Sequence, residues 1–181
     1  REQGPSLRDE LLRDPTPPPP PLLEESYEFL GDEDISFENY TSPEFAQAEY
    51  EKLWSKVWQW ACHVDHIPQP GDYFVYDIGD LSSLIVRTEN GEIKAYFNSC
   101  MHRGTQLKQP GTCGFSKELR CPFHGWTWSL EGQLVDLPQA WDFPHVTADS
   151  HQLPEMPVDI WEGFVFINFD INLWSIFFVI Y

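Results

Sequence analysis

Two short loops set the terms for this chain: Cys100-Met101-His102-Arg103-Gly104 and Cys121-Pro122-Phe123-His124-Gly125-Trp126. Each supplies one thiol and one imidazole, and eighteen residues, 103 to 120, separate His102 from Cys121. The donor order along the chain is Cys, His, Cys, His. A mononuclear zinc finger usually places two cysteines on one loop and two histidines on the other. Alternation suits a binuclear cluster better. If the loops face each other, the two cysteines hold one iron and the two histidines the second. Two residues apart in an extended turn, Cys100 and His102 point the same way, so a single loop reaches both irons. Zinc, or no metal at all, are the alternatives that spacing alone leaves open.

With Arg-Gly after one histidine and Gly-Trp after the other, these stretches resemble the Rieske domain of ring-hydroxylating oxygenase large subunits, from roughly Tyr40 to Asp170. The resemblance implies that Cys100, His102, Cys121 and His124 bind one [2Fe–2S] cluster per chain, the histidines through Nδ1. It also implies a role: taking single electrons from a reductase or ferredoxin and passing them to a mononuclear iron in the catalytic domain of the full-length subunit. In that family the mononuclear Fe(II) is held by two histidines and a carboxylate, well beyond the Rieske domain. The chain is therefore expected to be truncated before the catalytic domain and to hydroxylate nothing alone. Asp142-Phe143-Pro144-His145 with His151 copies the D-x-x-H…H spacing of that iron site. Pro144 disfavours a regular helix there, so a loop is expected.

Rieske proteins of the quinol-oxidising complexes resemble CTHLGC…CPCHGS, with an extra cysteine on each loop forming a disulfide. Thr105 and Phe123 occupy those positions here, and Trp126 replaces the serine that would donate to a cluster sulfur. Fewer hydrogen bonds to the sulfurs stabilise the reduced state less, which predicts a potential of about −150 mV. Trp126, Trp128 and Phe123 are expected to shield the centre from water, with ordinary core packing the plainer reading. Arg103 is a candidate contact for a carboxylate on a partner. Cys113, in the intervening loop, is expected to be a free thiol.

The 181 residues leave room for one domain with a core, plus tails. A net charge of −18 argues against nucleic acid and anionic membrane surfaces as partners. Four cysteines, two of them claimed by the cluster, do not make a disulfide framework, and a reducing cytosol (cytoplasmic localisation) is the simplest compartment. No apolar signal-type segment opens the sequence.

The expected fold is mainly β: a Rieske-type antiparallel β-sandwich with cluster-binding loops, preceded by one N-terminal helix and a disordered tail. Residues 1–38, acidic around the Pro15–Pro21 stretch, read as that tail; Ser6 to Leu12 could start a short helix within it. Residues 39–62 read as the helix segment, with Ser42 as N-cap, Pro43 at N1 and apolar residues recurring through about Trp60. Cys62, His63 and His66 are expected to be packing or surface groups rather than ligands. The Rieske domain spans 63–170. Its expected strands are Tyr73–Ile78, Leu84–Thr88, Ile93–Asn98, Leu119–Cys121, Trp126–Leu130, Gln133–Leu137 and Phe164–Phe169, with a hairpin at Glu89-Asn90-Gly91-Glu92. Residues 171–181 form an atypical apolar end, too short to span a membrane. Two other readings compete: a stand-alone Rieske ferredoxin-like carrier, and a non-redox interaction module. Iron and sulfide reconstitution separates the last from the redox readings.

Overall fold

The computed structural model describes residues 7–23 and 34–172. The chain divides into two units, Arg1–Phe37 and Glu38–Tyr181. In the first, α1 (Leu7–Leu11) and a 3-10 turn, Pro20–Leu23, are joined by a bond from the Arg8 guanidinium to the Leu23 carbonyl at 3.4 Å. Glu10 and Arg13, one turn apart, pair at 2.7 Å. Short local structure thus occupies part of a stretch expected to be disordered. The apolar end expected at 171–181 lies, from residue 173, outside the described residues.

In the second unit α2 (Glu38–Thr41) leads to α3 (Pro43–Glu49). Ser42 caps α3: its Oγ accepts the Phe45 amide at 3.1 Å, and Pro43 takes the first turn, where no amide hydrogen is needed. The helix does not reach residue 60 as its apolar spacing predicts. It widens into a π-type turn over Tyr50–Trp54 and stops. Trp60, Ala61 and Cys62 belong instead to β1 (Gln59–His63). The reason is tertiary: pairing β1 with the last strand satisfies backbone groups and buries Gln59 and Cys62, which a longer helix would leave outside the sheet. Tyr50 lies over Gly79, and the Gln59 amide donates to the carbonyls of Trp54 and Val57 at 3.2 and 3.3 Å.

The body is a set of antiparallel sheets. The central one runs β5-β2-β3-β4-β9, built from β2 (Asp72–Ile78), β3 (Leu81–Arg87), β4 (Ile93–Phe97), β5 (Cys113–Phe115) and β9 (Glu155–Met156). A second sheet runs β1-β11-β10, with β10 at Val158–Trp161 and β11 at Phe164–Ile167. A third runs β6-β7-β8, from β6 (Leu119–Arg120), β7 (Thr127–Trp128) and β8 (Leu134–Asp136). The hairpin predicted at Asn90-Gly91 joins β3 to β4, with Gly91 at φ 86°.

Alternation along a strand puts successive side chains on opposite faces, and the central sheet is buried on both. Val75, Leu84, Val86 and Tyr96 face a core shared with Leu107, Leu119, Trp126, Trp128 and Leu130. Ile85 and Ala95 face a second core with Cys62, Ile67, Val165 and Ile167. That explains why Leu84, Ile85 and Val86 are apolar in an unbroken run. The first core lies under both cysteine loops, so the apolar body supports the site directly.

Candidate metal centre

β4 delivers the chain to the first loop, and the β6–β7 hairpin carries the second. The two loops fold alike. In the first, the Cys100 amide donates to the Thr105 carbonyl at 2.8 Å and the Gly104 amide to the Cys100 carbonyl at 2.9 Å. In the second, the Cys121 amide donates to the Trp126 carbonyl at 2.8 Å and the Gly125 amide to the Cys121 carbonyl at 3.2 Å. Each loop is therefore closed five residues after its cysteine and turned by a glycine four residues after it. Gly104 and Gly125 sit at φ 75° and 78°, a region that side chains with a Cβ rarely adopt. The histidines occupy different offsets in these matching knuckles: third residue in one, fourth in the other.

Both thiols are buried, Cys100 at 4% and Cys121 at 2% exposure, and both are free. Burial pushes the Cys100 thiol up to about 11, helped by the adjacent Cys121 thiol with which it can hydrogen-bond. The backbone amides of His102 and Arg103 act against this by donating to the Cys100 sulfur. Two buried thiols in contact, with amides aimed at one of them, form a site that favours a cation able to hold both as thiolates.

The histidines meet on the outer side. His102 Nδ1 lies 3.2 Å from His124 Nδ1. Two imidazole nitrogens on one tetrahedral metal, at metal–nitrogen distances of about 2.0–2.1 Å, stand roughly 3.4 Å apart. The facing Nδ1 atoms therefore fit a shared ion. Burial, the neighbouring His124 and the Arg103 cation, in that order, lower the pKa of His102 and favour the neutral ring that ligation requires. His124 and Arg103 are exposed. A cleft of about 450 Å³ lined by Arg120, Pro122, Phe123, His124 and Pro138 opens beside the second loop.

Among the described residues, no three His, Cys, Asp or Glu side chains converge as a mononuclear metal would need. A binuclear cluster makes no such demand, because its bridging sulfides complete each iron and the protein supplies two donors apiece. The paired thiols and paired imidazoles fit a [2Fe–2S] cluster in that sense. Asp142, His145 and His151 do not form an iron site: Ala140–Asp142 is a 3-10 turn and the stretch is otherwise irregular, with the two imidazole rings 6.4 Å apart. Cys62 is a core thiol, its pKa pushed by burial to about 12. His63 accepts the Asp65 amide at 3.3 Å, and His66 stacks on Phe74 at 5.7 Å. Cys113 is exposed and free on β5.

Of the expected aromatic shield, Trp126 and Trp128 are buried at 2% and 0% exposure, but Phe123 is 65% exposed. It projects from the tip of the second knuckle, where no core reaches it. Sequence reasoning also passed over Asn98, buried at 2%. Its Oδ1 accepts the amides of Leu107 and Lys108 at 3.1 and 3.0 Å, and its Nδ2 donates to the Lys108 carbonyl at 2.8 Å and Ser82 Oγ at 3.0 Å. This amide fixes the return of the first knuckle. Its only sequence signal is a polar residue ending an apolar strand two positions before the cysteine.

An antiparallel β-body presenting two matched Cys/His knuckles defines an iron–sulfur electron-transfer class of domain. The family described as the Rieske [2Fe-2S] domain matches residues 57–154, and the chain belongs to it. It is 31% identical over 137 residues to the anthranilate 1,2-dioxygenase large subunit of Acinetobacter baylyi, covering 75% of this chain and 29% of that one. It is 34% identical over 138 residues to the chloroplastic choline monooxygenase of Spinacia oleracea, covering 74% and 30%. Among solved structures, naphthalene 1,2-dioxygenase from Rhodococcus sp. bound to indole superposes with a TM-score of 0.66 at 33% identity, over 71% of this chain and 30% of the other. The chain thus spans about three-tenths of the length of these relatives. No helix among the described residues is long and apolar enough to cross a membrane.

Proposed function

We propose that Cys100 and Cys121 hold one iron of a [2Fe–2S] cluster and His102 and His124 the other. The domain then relays single electrons in an oxygenase of the ring-hydroxylating type, from a reductase or ferredoxin to a mononuclear iron held by a catalytic domain. The opposed Nδ1 atoms at 3.2 Å, above two touching buried thiols, carry this reading. When bound, such a cluster supplies a one-electron couple, expected here at about −150 mV.

The chain's own residues divide the work. The amides of His102 and Arg103 stabilise negative charge on the Cys100 sulfur. Trp126 and Leu107, both buried, keep water from the inner side. His124, exposed at the surface, offers the shortest way for an electron to reach a partner, with the Arg103 cation nearby to meet a carboxylate. Four free cysteines suit a reducing cytosol.

Anaerobic reconstitution of the full chain with ferrous iron and sulfide tests this reading. The expected product carries equimolar iron and sulfide and accepts one electron per chain from dithionite. Cys100→Ser and Cys121→Ser lose it. A chain that takes up zinc instead, or retains its iron in both serine variants, contradicts the assignment.

A further inference from the structure

We propose that Trp126 and Phe143 are positioning residues that clamp His102 from two sides and make the two imidazoles inequivalent; this rests on the ligand assignment above. The Trp126 and His102 rings stack with centroids 4.8 Å apart and planes 8° from parallel. Phe143 meets both nearly at right angles, at 5.5 Å and 82° to His102 and at 5.3 Å and 85° to Trp126. One face of His102 is therefore covered by an indole, and a second side is closed by a phenyl ring. Such offset-stacked and edge-to-face contacts are the favoured aromatic geometries.

The clamp is itself held. Trp126 is buried at 2% exposure. His151 packs against it at 5.9 Å, and the His151 carbonyl accepts the Trp128 indole N–H at 2.8 Å. Phe143 belongs to the long connection between β8 and β9, which supplies no proposed ligand yet reaches over the first knuckle. Among the described residues, His124 has no comparable support. Its aromatic neighbours are His102 itself, at 4.8 Å, and Phe123 of its own loop, at 3.9 Å and 65% exposed. Turning the His102 ring about its side-chain bonds breaks the stack, whereas His124 turns against solvent. The core thus fixes where His102 Nδ1 points, and His124 adjusts to it.

Proton NMR of the cluster-free full chain tests the clamp without relying on the cluster. The His102 ring protons are expected upfield of those of His124, under the ring current of Trp126. Trp126→Leu abolishes that displacement, Trp126→Phe keeps part of it, and Phe143→Leu shrinks it by letting the ring leave the stack. Coincident His102 and His124 resonances in the parent chain overturn the proposal, as does a His102 displacement unchanged in Trp126→Leu. Should Trp126→Leu not fold, a full His102 displacement in Phe143→Leu overturns it equally. In reconstituted Trp126→Phe and Phe143→Leu chains the paramagnetic signal of the reduced state broadens. A parent chain that binds no cluster refutes the ligand assignment and leaves the ring-current result standing.

Discussion

Asn98 lies two residues before the first cysteine, and its side-chain amide uses both ends to hold the knuckle closed. Asn98→Ala strands the buried Leu107 amide and the half-buried Lys108 amide and carbonyl. We expect a loss of about 3 kcal/mol, on the scale of buried polar groups left without partners, read as a lower denaturation midpoint. Iron retention falls with it. Cys62 acts through protonation. Its folded pKa, about 12, lies above the ordinary thiol value of 9.0 because burial disfavours the thiolate. The folded state therefore holds the proton more tightly than the unfolded state does. This contribution is complete below pH 9.0 and is lost as pH rises toward about 12. Burial raises Tyr96 in the same direction, and Cys100 as well in cluster-free protein. Denaturant midpoints should hold steady from pH 7 to 9 and fall above it, and Cys62→Ala should flatten that fall. It should also cost about 1 kcal/mol at pH 7 through the small cavity left behind.

The matched knuckles are the elements that decide whether four donors meet. Their glycines both need left-handed backbone but differ in surroundings. A Cβ at Gly104 would find Ser99 Oγ at 3.8 Å, whereas at Gly125 it would come within 3.0 Å of Arg120 Nη2 and 3.5 Å of Pro138 Cγ. Alanine at either position costs about 1–2 kcal/mol in backbone strain. Gly125→Ala adds crowding and should release iron faster in a chelator challenge than Gly104→Ala. The knuckles were legible in the sequence because cysteine, histidine and glycine at fixed offsets have few other uses. In the β2–β3–β4 meander, β2 was legible through its alternation, and β3 and β4 through the Asn90-Gly91 turn that they flank. β1 was not: Val57, Trp58 and Trp60 continue the apolar spacing of the preceding helix, and only pairing with β11 decides otherwise. β9 and β10 are short and separated by Pro157, so neither shows a period of its own. The stack of Trp126 on His102 joins residues 24 positions apart, and the packing of Phe143 against both depends on a loop path that no local pattern encodes.

Across the whole molecule, charge and core play separate parts. The net charge of −18 disfavours polyanionic partners, while the donors that matter rise from an apolar body. The central sheet, buried on both faces, joins the core under the knuckles to the one that holds β1 and β11. The proposed centre requires two thiols and two Nδ1 atoms to grip a pair of bridged irons. Pulsed electron–nuclear spectroscopy of the reconstituted, dithionite-reduced chain, labelled with 15N-histidine, addresses that claim most directly. The result predicted is a single reduced-cluster signal coupled to two histidine nitrogens, one lost in His102→Ala and the other in His124→Ala wherever the cluster survives. A reduced signal without histidine nitrogen coupling, or no paramagnetic signal from an iron- and sulfide-loaded chain, would contradict it.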